Sequence, residues 1–76
     1  MKQGLRLTFP QHLIKKPVIF TMAKIYDVVP NIRRARVTEN FGEMELELEG
    51  AEENLREGIR SLEEQGVKVE RLEGLI

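Results

Sequence analysis

Four stretches of the chain alternate apolar and polar residues with a period of two, the pattern of strands with one buried face. They cover residues 5–9, 31–38, 43–49 and 67–72. The third is the most regular, with Met44, Leu46 and Leu48 on one face and glutamates on the other. The sequence therefore predicts four strands.

Two further stretches carry apolar residues at helical spacing. A first helix is predicted between Pro17, which suits a first turn, and Pro30, which ends it. Its apolar stripe consists of Val18, Met22, Ile25 and Val29. A second helix is predicted over residues 51–65, with Gly66 just past its end. Its apolar side consists of Leu55, Ile59 and Leu62. Residues 73–76 are expected to form a short tail.

The predicted order of elements is β-α-β-β-α-β. Two crossovers joined by a hairpin are typical of a ferredoxin-like α+β sandwich. We expect a four-stranded antiparallel sheet in the order 4-1-3-2, with two helices on one face. A chain of 76 residues fits one domain, so residues 1–76 are predicted to form a single domain.

The hairpin is predicted to turn through a four-residue loop at 39–42. This loop places Ala35 and Val37 on the same face as Leu46 and Met44, whereas a three-residue loop would turn two arginines inward. The open face of the sheet would then carry a ladder of opposite charges. Its expected pairs are Arg36 with Glu45 and Arg34 with Glu47, with Arg6 nearby.

This charged face has two interpretations. It is a solvated ladder that fixes the register of the strands, or it is a platform for a ligand or partner. RNA recognition is disfavoured, because the central outward positions hold Arg6, Thr8, Glu45 and Glu47 rather than the aromatic residues on which bases stack. A net charge of −1 also disfavours nucleic acid as a partner.

The inventory of reactive side chains is small. The chain has no cysteine and one histidine, His12, so we expect no metal site and no cofactor. Ser61 lies in the second predicted helix with nothing to tie it to His12, so no catalytic residue and no enzymatic activity are expected. No stretch is typical of a signal peptide or a membrane span, and we expect a cytoplasmic protein without membrane insertion.

Asn31 is the first candidate for binding. It follows Pro30 at the start of a strand, where an asparagine side chain often bonds to nearby backbone. Its amide can also donate to and accept from a small polar ligand. Phe41, at the hairpin tip, either covers the edge of the core or anchors a partner.

Short motifs along the whole chain resemble the NIL domain family. They are Leu5-Arg6-Leu7-Thr8-Phe9, Lys16-Pro17-Val18-Ile19, Tyr26-Asp27-Val28, Asn31-Ile32 and the ending from Leu62 to Glu70. The family takes its name from an Asn-Ile-Leu run. Here Arg33 stands where leucine is expected, so the signature is incomplete.

The resemblance implies a ferredoxin-like, ACT-like fold and a regulatory role. Such domains occur at the C-terminus of methionine-importer ATPases, where two copies bind methionine between them, and beside ferredoxin modules linked to sulfur metabolism. It implies a homodimer, a methionine-like ligand and a protein partner in transport or sulfur metabolism. Asn31 and Val37 are the ligand contacts that it suggests. The sequence shows no ATPase or cluster-binding segment, so the resemblance implies neither importer nor electron-transfer activity for it. Its hairpin is also shorter than in the importers.

Three hypotheses for function follow. The first is a sensor in which a small sulfur amino acid binds at an edge shared by two copies. The second is a protein-interaction module without a small ligand, which docks through the sheet face or the edge strand that carries Arg33 and Arg36. The third is an accessory subunit of an enzyme whose chemistry lies elsewhere.

Overall fold

A computed structural model describes residues 1–72. Seven elements follow one another along the chain: β1 (Lys2–Phe9), a 3-10 turn (Gln11–Leu13), α1 (Val18–Tyr26), β2 (Val29–Val37), β3 (Gly42–Glu49), α2 (Glu52–Glu64) and β4 (Lys68–Leu72). The strands form one antiparallel sheet in the order β2-β3-β1-β4. Counted from the other edge this is the expected order 4-1-3-2, and the predicted ferredoxin-like α+β fold is confirmed. The tail expected at 73–76 lies outside the described residues.

The core lies between one face of the sheet and the two helices. Its most deeply buried side chains come from the central strands and both helices: Leu5, Leu7, Met22, Leu46, Leu48 and Leu62. The helices approach closely at Gly58 of α2, where an added Cβ would lie 2.9 Å from the sulfur of Met22. α2 ends as expected, with Gly66 in the left-handed region at φ 105°.

The first helix ends earlier than the sequence pattern indicates. α1 stops at Tyr26, and Asp27 takes a left-handed conformation with φ 56°. Asp is one of the few residues that adopts this conformation at moderate cost. Val28 then turns into the core, while Val29 and Pro30 already belong to β2. The prediction of a helix up to Val29 was therefore wrong.

The hairpin has the predicted four-residue loop, but one step earlier in the chain. The loop is 38–41, closed by the Thr38 amide donating to the Phe41 carbonyl at 2.7 Å and the Phe41 amide donating to Thr38 Oγ1 at 3.1 Å. The Thr38 side chain closes the loop with a hydrogen bond that the alternation of apolar and polar residues does not indicate. The predicted cross-strand pairs were therefore wrong. The observed pairs are Val37 with Gly42, Ala35 with Met44, Arg36 with Glu43 and Arg34 with Glu45.

A β-bulge at Arg33 shifts the register again between Ile32 and Arg34. Below the bulge, Ile32 lies opposite Leu46 and Asn31 opposite Glu47. Strict alternation from Ala35 would have pointed Arg33 and Asn31 at the helices. The extra residue at the bulge reverses these directions, because the side chains on the two sides of a bulge are out of phase along the strand. The bulge therefore keeps both polar side chains on the open face of the sheet.

Candidate functional site

The outer edge of β2 is unpaired by any strand in residues 1–72. Three apolar side chains of this strand are more than half exposed: Val29, Ile32 and Val37. Ala35 and Val37 were predicted to point inward. They share a face with buried residues of β3, but the helices do not cover them, because β2 is the outermost strand. An edge strand with exposed apolar residues is a ready surface for pairing with another chain.

An apolar pocket of about 210 Å³ opens beside one end of this edge. It lies between the start of α1, the end of β1 and the hairpin. Its walls are mainly apolar side chains, among them Phe9, Ile14, Val18, Phe20, Val37 and Met44. Phe20, at its mouth, is 68% exposed. The pocket has room for a small apolar group, such as an aliphatic side chain.

The two residues expected to bind ligand lie far apart in one copy of the chain. Val37 lines the apolar pocket, whereas Asn31 is exposed at the other end of β2. Six residue steps of strand separate them by roughly 20 Å. One copy of the chain therefore does not bring Asn31 and Val37 together.

The neighbour of Asn31 is the polar Glu47 rather than Val37, and the sequence pattern did not indicate this pairing. Glu47 lies directly opposite it on β3, with Gly4 of β1 on the other side. Glu47 points away from the helices as predicted, yet it is only 4% exposed. Its Oε2 atom finds no hydrogen-bond donor in residues 1–72. The nearest cation is Arg33, whose guanidinium lies 3.9 Å from Oε2. The period-two pattern shows a glutamate on a solvent face and gives no sign of this burial.

A row of alternating charges crosses the same face of the sheet. Arg6 lies 3.2 Å from Glu45 on one side and 3.3 Å from Glu70 on the other. Arg34 reaches Glu45 at 3.9 Å. The hydrogen bonds to Glu45 and the negative charge of Glu70 raise the pKa of the Arg6 guanidinium above its usual value. The predicted charge ladder is thus present, with Arg34 paired to Glu45 rather than to Glu47.

The remaining candidates for chemistry are dispersed. His12 is exposed in the 3-10 turn, and the Ser61 hydroxyl in α2 accepts a hydrogen bond from Gln65, the residue that follows this helix. In the part of the chain that the structure describes, no three His, Cys, Asp or Glu side chains are placed to hold a metal ion. The features of residues 1–72 that are suited to binding are the β2 edge, its apolar pocket, the polar group around Glu47 and the row of charges on the open face.

The family model of the NIL domain matches residues 3–71. The chain belongs to the NIL domain family. The match spans both ends of β2, so it includes the incomplete signature Asn31-Ile32-Arg33. In this NIL domain the departing residue, Arg33, is the bulged residue of the edge strand.

Solved structures share the fold of this NIL domain. One is the C-terminal domain of an ABC transporter ATP-binding protein from Enterococcus faecalis, with a TM-score of 0.81 and 24% identity over 95% of this chain and 84% of the other. Another is the de novo designed protein Foldit4, with a TM-score of 0.59 and 10% identity over 93% of each chain. No curated protein matches the sequence. Within residues 1–72, no helix has the length and apolar character needed to cross a membrane.

Proposed function

We propose that this NIL domain is a regulatory module that binds methionine or a related sulfur amino acid at an edge shared by two copies. The observation that carries the proposal is the exposed apolar β2 edge that opens into a pocket of about 210 Å³. A single copy supplies the apolar pocket and the polar Asn31 at opposite ends of one strand. A complete site therefore requires a second copy.

Antiparallel pairing of two β2 strands supplies this arrangement. If the two-fold axis passes near the middle of the strand, the Asn31 end of one copy lies beside the Val37 end of the other. The pocket lies on the helix side of the sheet and Asn31 on its open face, so the ligand would lie in a gap between the two edges. Its thioether side chain would enter the apolar pocket of one copy, and Asn31 of the second copy would bond its polar end. Burial of Val29, Ile32 and Val37 would favour the pairing.

The positive charges on β2 are partly balanced within each copy. Arg33, Arg34 and Arg36 would approach one another across the two-fold axis. Each faces a glutamate of β3, through the contact of Arg33 with Glu47, the contact of Arg34 with Glu45 and the opposed positions of Arg36 and Glu43. Neutralisation within each copy reduces the repulsion between the edges.

The likeness to the C-terminal domain of an ABC transporter ATP-binding protein supports a partner in transport. A partner in sulfur metabolism is the other class that the family suggests. Binding of an amino acid that favours one arrangement of the two copies would change the activity of such a partner. The proposal includes a cytoplasmic location and no catalytic activity of the domain itself.

The test combines the mass in solution with calorimetry. We expect a dimer by light scattering, and binding heat with methionine that exceeds the heat with homocysteine, which lacks the terminal methyl group. Asn31→Ala should weaken methionine binding about 3–10-fold, the value of one neutral hydrogen bond. Asn54→Ala, on α2, is the matched control and should bind normally. A folded, monomeric protein that gives no heat at millimolar methionine would refute the proposal.

A second function is favoured by the charge row on the open face. Glu70, Arg6, Glu45 and Arg34 span all four strands, and the edge of β2 can extend a sheet into another protein. On this reading the domain is an interaction module without a small ligand. A protein partner whose binding weakens with salt and is unchanged by methionine would favour the interaction module over the methionine sensor.

A further inference from the structure

A buried carboxylate with an unsatisfied oxygen stands next to the proposed ligand contact. Glu47 is 4% exposed, and its Oε2 atom has no hydrogen-bond donor among residues 1–72. Burying a carboxylate without donors is costly, so such a group needs an explanation. The cross-strand neighbour of Glu47 is Asn31, the residue already proposed to bind the ligand.

The only described cation near this oxygen is loosely placed. The Arg33 guanidinium lies 3.9 Å from Oε2, too far for a hydrogen bond. Its side chain is 47% exposed, and it extends from the bulged position of an edge strand. Moving this side chain breaks no hydrogen bond to Glu47 and loses one ion pair of 3.9 Å. On the other side of Glu47 lies Gly4, which has no side chain to donate a hydrogen bond.

We infer that Glu47 and Arg33 form a separable charge pair that receives the two charged groups of an α-amino acid. This inference rests on the proposed function and specifies which end of the ligand each residue binds. The ammonium group donates to Glu47 Oε2, and the carboxylate accepts from the Arg33 guanidinium, with Asn31 beside them. A zwitterion replaces one weak ion pair with two charge-assisted hydrogen bonds.

The arrangement makes the site selective for ligands that carry an ammonium group. An acid with the same side chain but no amino group would leave the carboxylate of Glu47 unpaired next to a second negative charge. An amine without a carboxylate would still satisfy Glu47 but would leave Arg33 without its partner. The zwitterion is the ligand that satisfies both residues.

The test compares three ligands on the full chain by calorimetry: methionine, methylthiopropylamine and methylthiobutanoate. Glu47→Gln keeps the shape and removes the charge. We expect it to weaken binding of methionine and the amine at least about tenfold. Binding of the acid should become tighter, because the repulsion between its carboxylate and that of Glu47 is removed. Glu45→Gln, on the same strand and face, is the matched control and should preserve the preference for methionine over the acid. Circular dichroism verifies that each variant is folded.

The outcomes separate this inference from the proposed function. If the wild type binds methionine and Glu47→Gln keeps the same preference over methylthiobutanoate, the assignment of Glu47 is wrong and the sensor proposal stands. If Glu47→Gln changes only the mass in solution, Glu47 serves the interface and the assignment is again wrong. If the wild type binds none of the three ligands, both proposals fail.

Discussion

Ile32 and Leu46 lie directly opposite each other on β2 and β3, yet Leu46 is fully buried and Ile32 is 55% exposed. Both side chains share the face that the helices cover. The difference arises because β3 is an inner strand and β2 is the edge of the sheet. The pair therefore offers a direct comparison between the core and the proposed shared edge.

Truncation of the two residues should have different effects. Leu46→Ala leaves a cavity in the core and should lower the free energy of unfolding by about 2–5 kcal/mol. Ile32→Ala, its matched control, should cost less than about 1 kcal/mol in the monomer, because much of the side chain is already in water. Urea unfolding at low protein concentration measures both. Equal losses would contradict the assignment of Ile32 to an exposed edge.

Insertion of a charge at the edge should prevent association. Val37→Lys places an ammonium group at the mouth of the apolar pocket, where burial against a second copy would be costly. We expect a monomer by light scattering and no binding of methionine, with an unchanged circular dichroism spectrum. Lys68→Glu, on the opposite edge strand β4, should leave the mass unchanged. A dimer that persists in Val37→Lys would exclude β2 as the shared edge.

The contact between the helices depends on the absence of a side chain at position 58. Gly58→Leu would push several atoms into the space held by Met22, and overpacking of this kind costs about 1–3 kcal/mol. Glu57→Leu, at the adjacent exposed position, should change stability little, because glutamate and leucine have similar helix propensities, and it controls for the addition of a leucine to α2. Thermal unfolding of both variants gives the comparison. If Gly58→Leu were as stable as Glu57→Leu, the close approach would be wrong.

Arg33 should stabilise the fold more than its neighbour on the strand. Arg33→Leu removes the only described cation near the buried Glu47 and should cost about 1–2 kcal/mol. Arg34→Leu should cost below about 0.5 kcal/mol, because the Arg34 side chain is exposed and Glu45 keeps its contact with Arg6. The double variant Arg33→Leu/Glu47→Gln should recover most of the loss. Urea unfolding measures these differences, and no recovery would show that Arg33 acts through something other than Glu47.

The charge row should contribute a stabilisation that salt removes. Arg6→Gln breaks the contacts to Glu45 and Glu70 and should lower the melting temperature slightly at low ionic strength. At about 1 M salt, where the Debye length is about 3 Å, the difference from wild type should shrink. Lys68→Gln, on the same face but without an ion pair in residues 1–72, is the control. A difference that is independent of salt would mean that Arg6 acts through packing.

Much of the fold was predictable from the chain, because its inner elements repeat their patterns strictly. Leu46 and Leu48 alternate with glutamates, and Leu55, Ile59 and Leu62 recur at helical spacing, so β3 and α2 were placed within a residue or two of their ends. The end of α1 was not predictable in this way. Val29 fits the apolar stripe of the predicted helix. The left-handed conformation of Asp27 ends the helix, so that Val28 is buried in the core and Val29 is exposed.

The candidate site was predictable only in part. The NIL motifs pointed to Asn31 and Val37, and the structure places them at opposite ends of one edge strand. The bulge at Arg33 leaves a trace in the sequence, because Ile32 and Ala35 are out of phase in a period-two pattern, whereas the burial of Glu47 leaves no signal in the alternation. Both depend on contacts between residues that are distant in sequence.

The sequence by itself determined the number, type and order of the elements and the sheet order, because apolar periodicity and turn residues act locally along the chain. The tertiary structure decided the register of the hairpin, the face on which Asn31 lies and the burial of a charged residue. These follow from how β2 meets β3 and from which strand is left at the edge, and such relationships arise only when separate segments pack together.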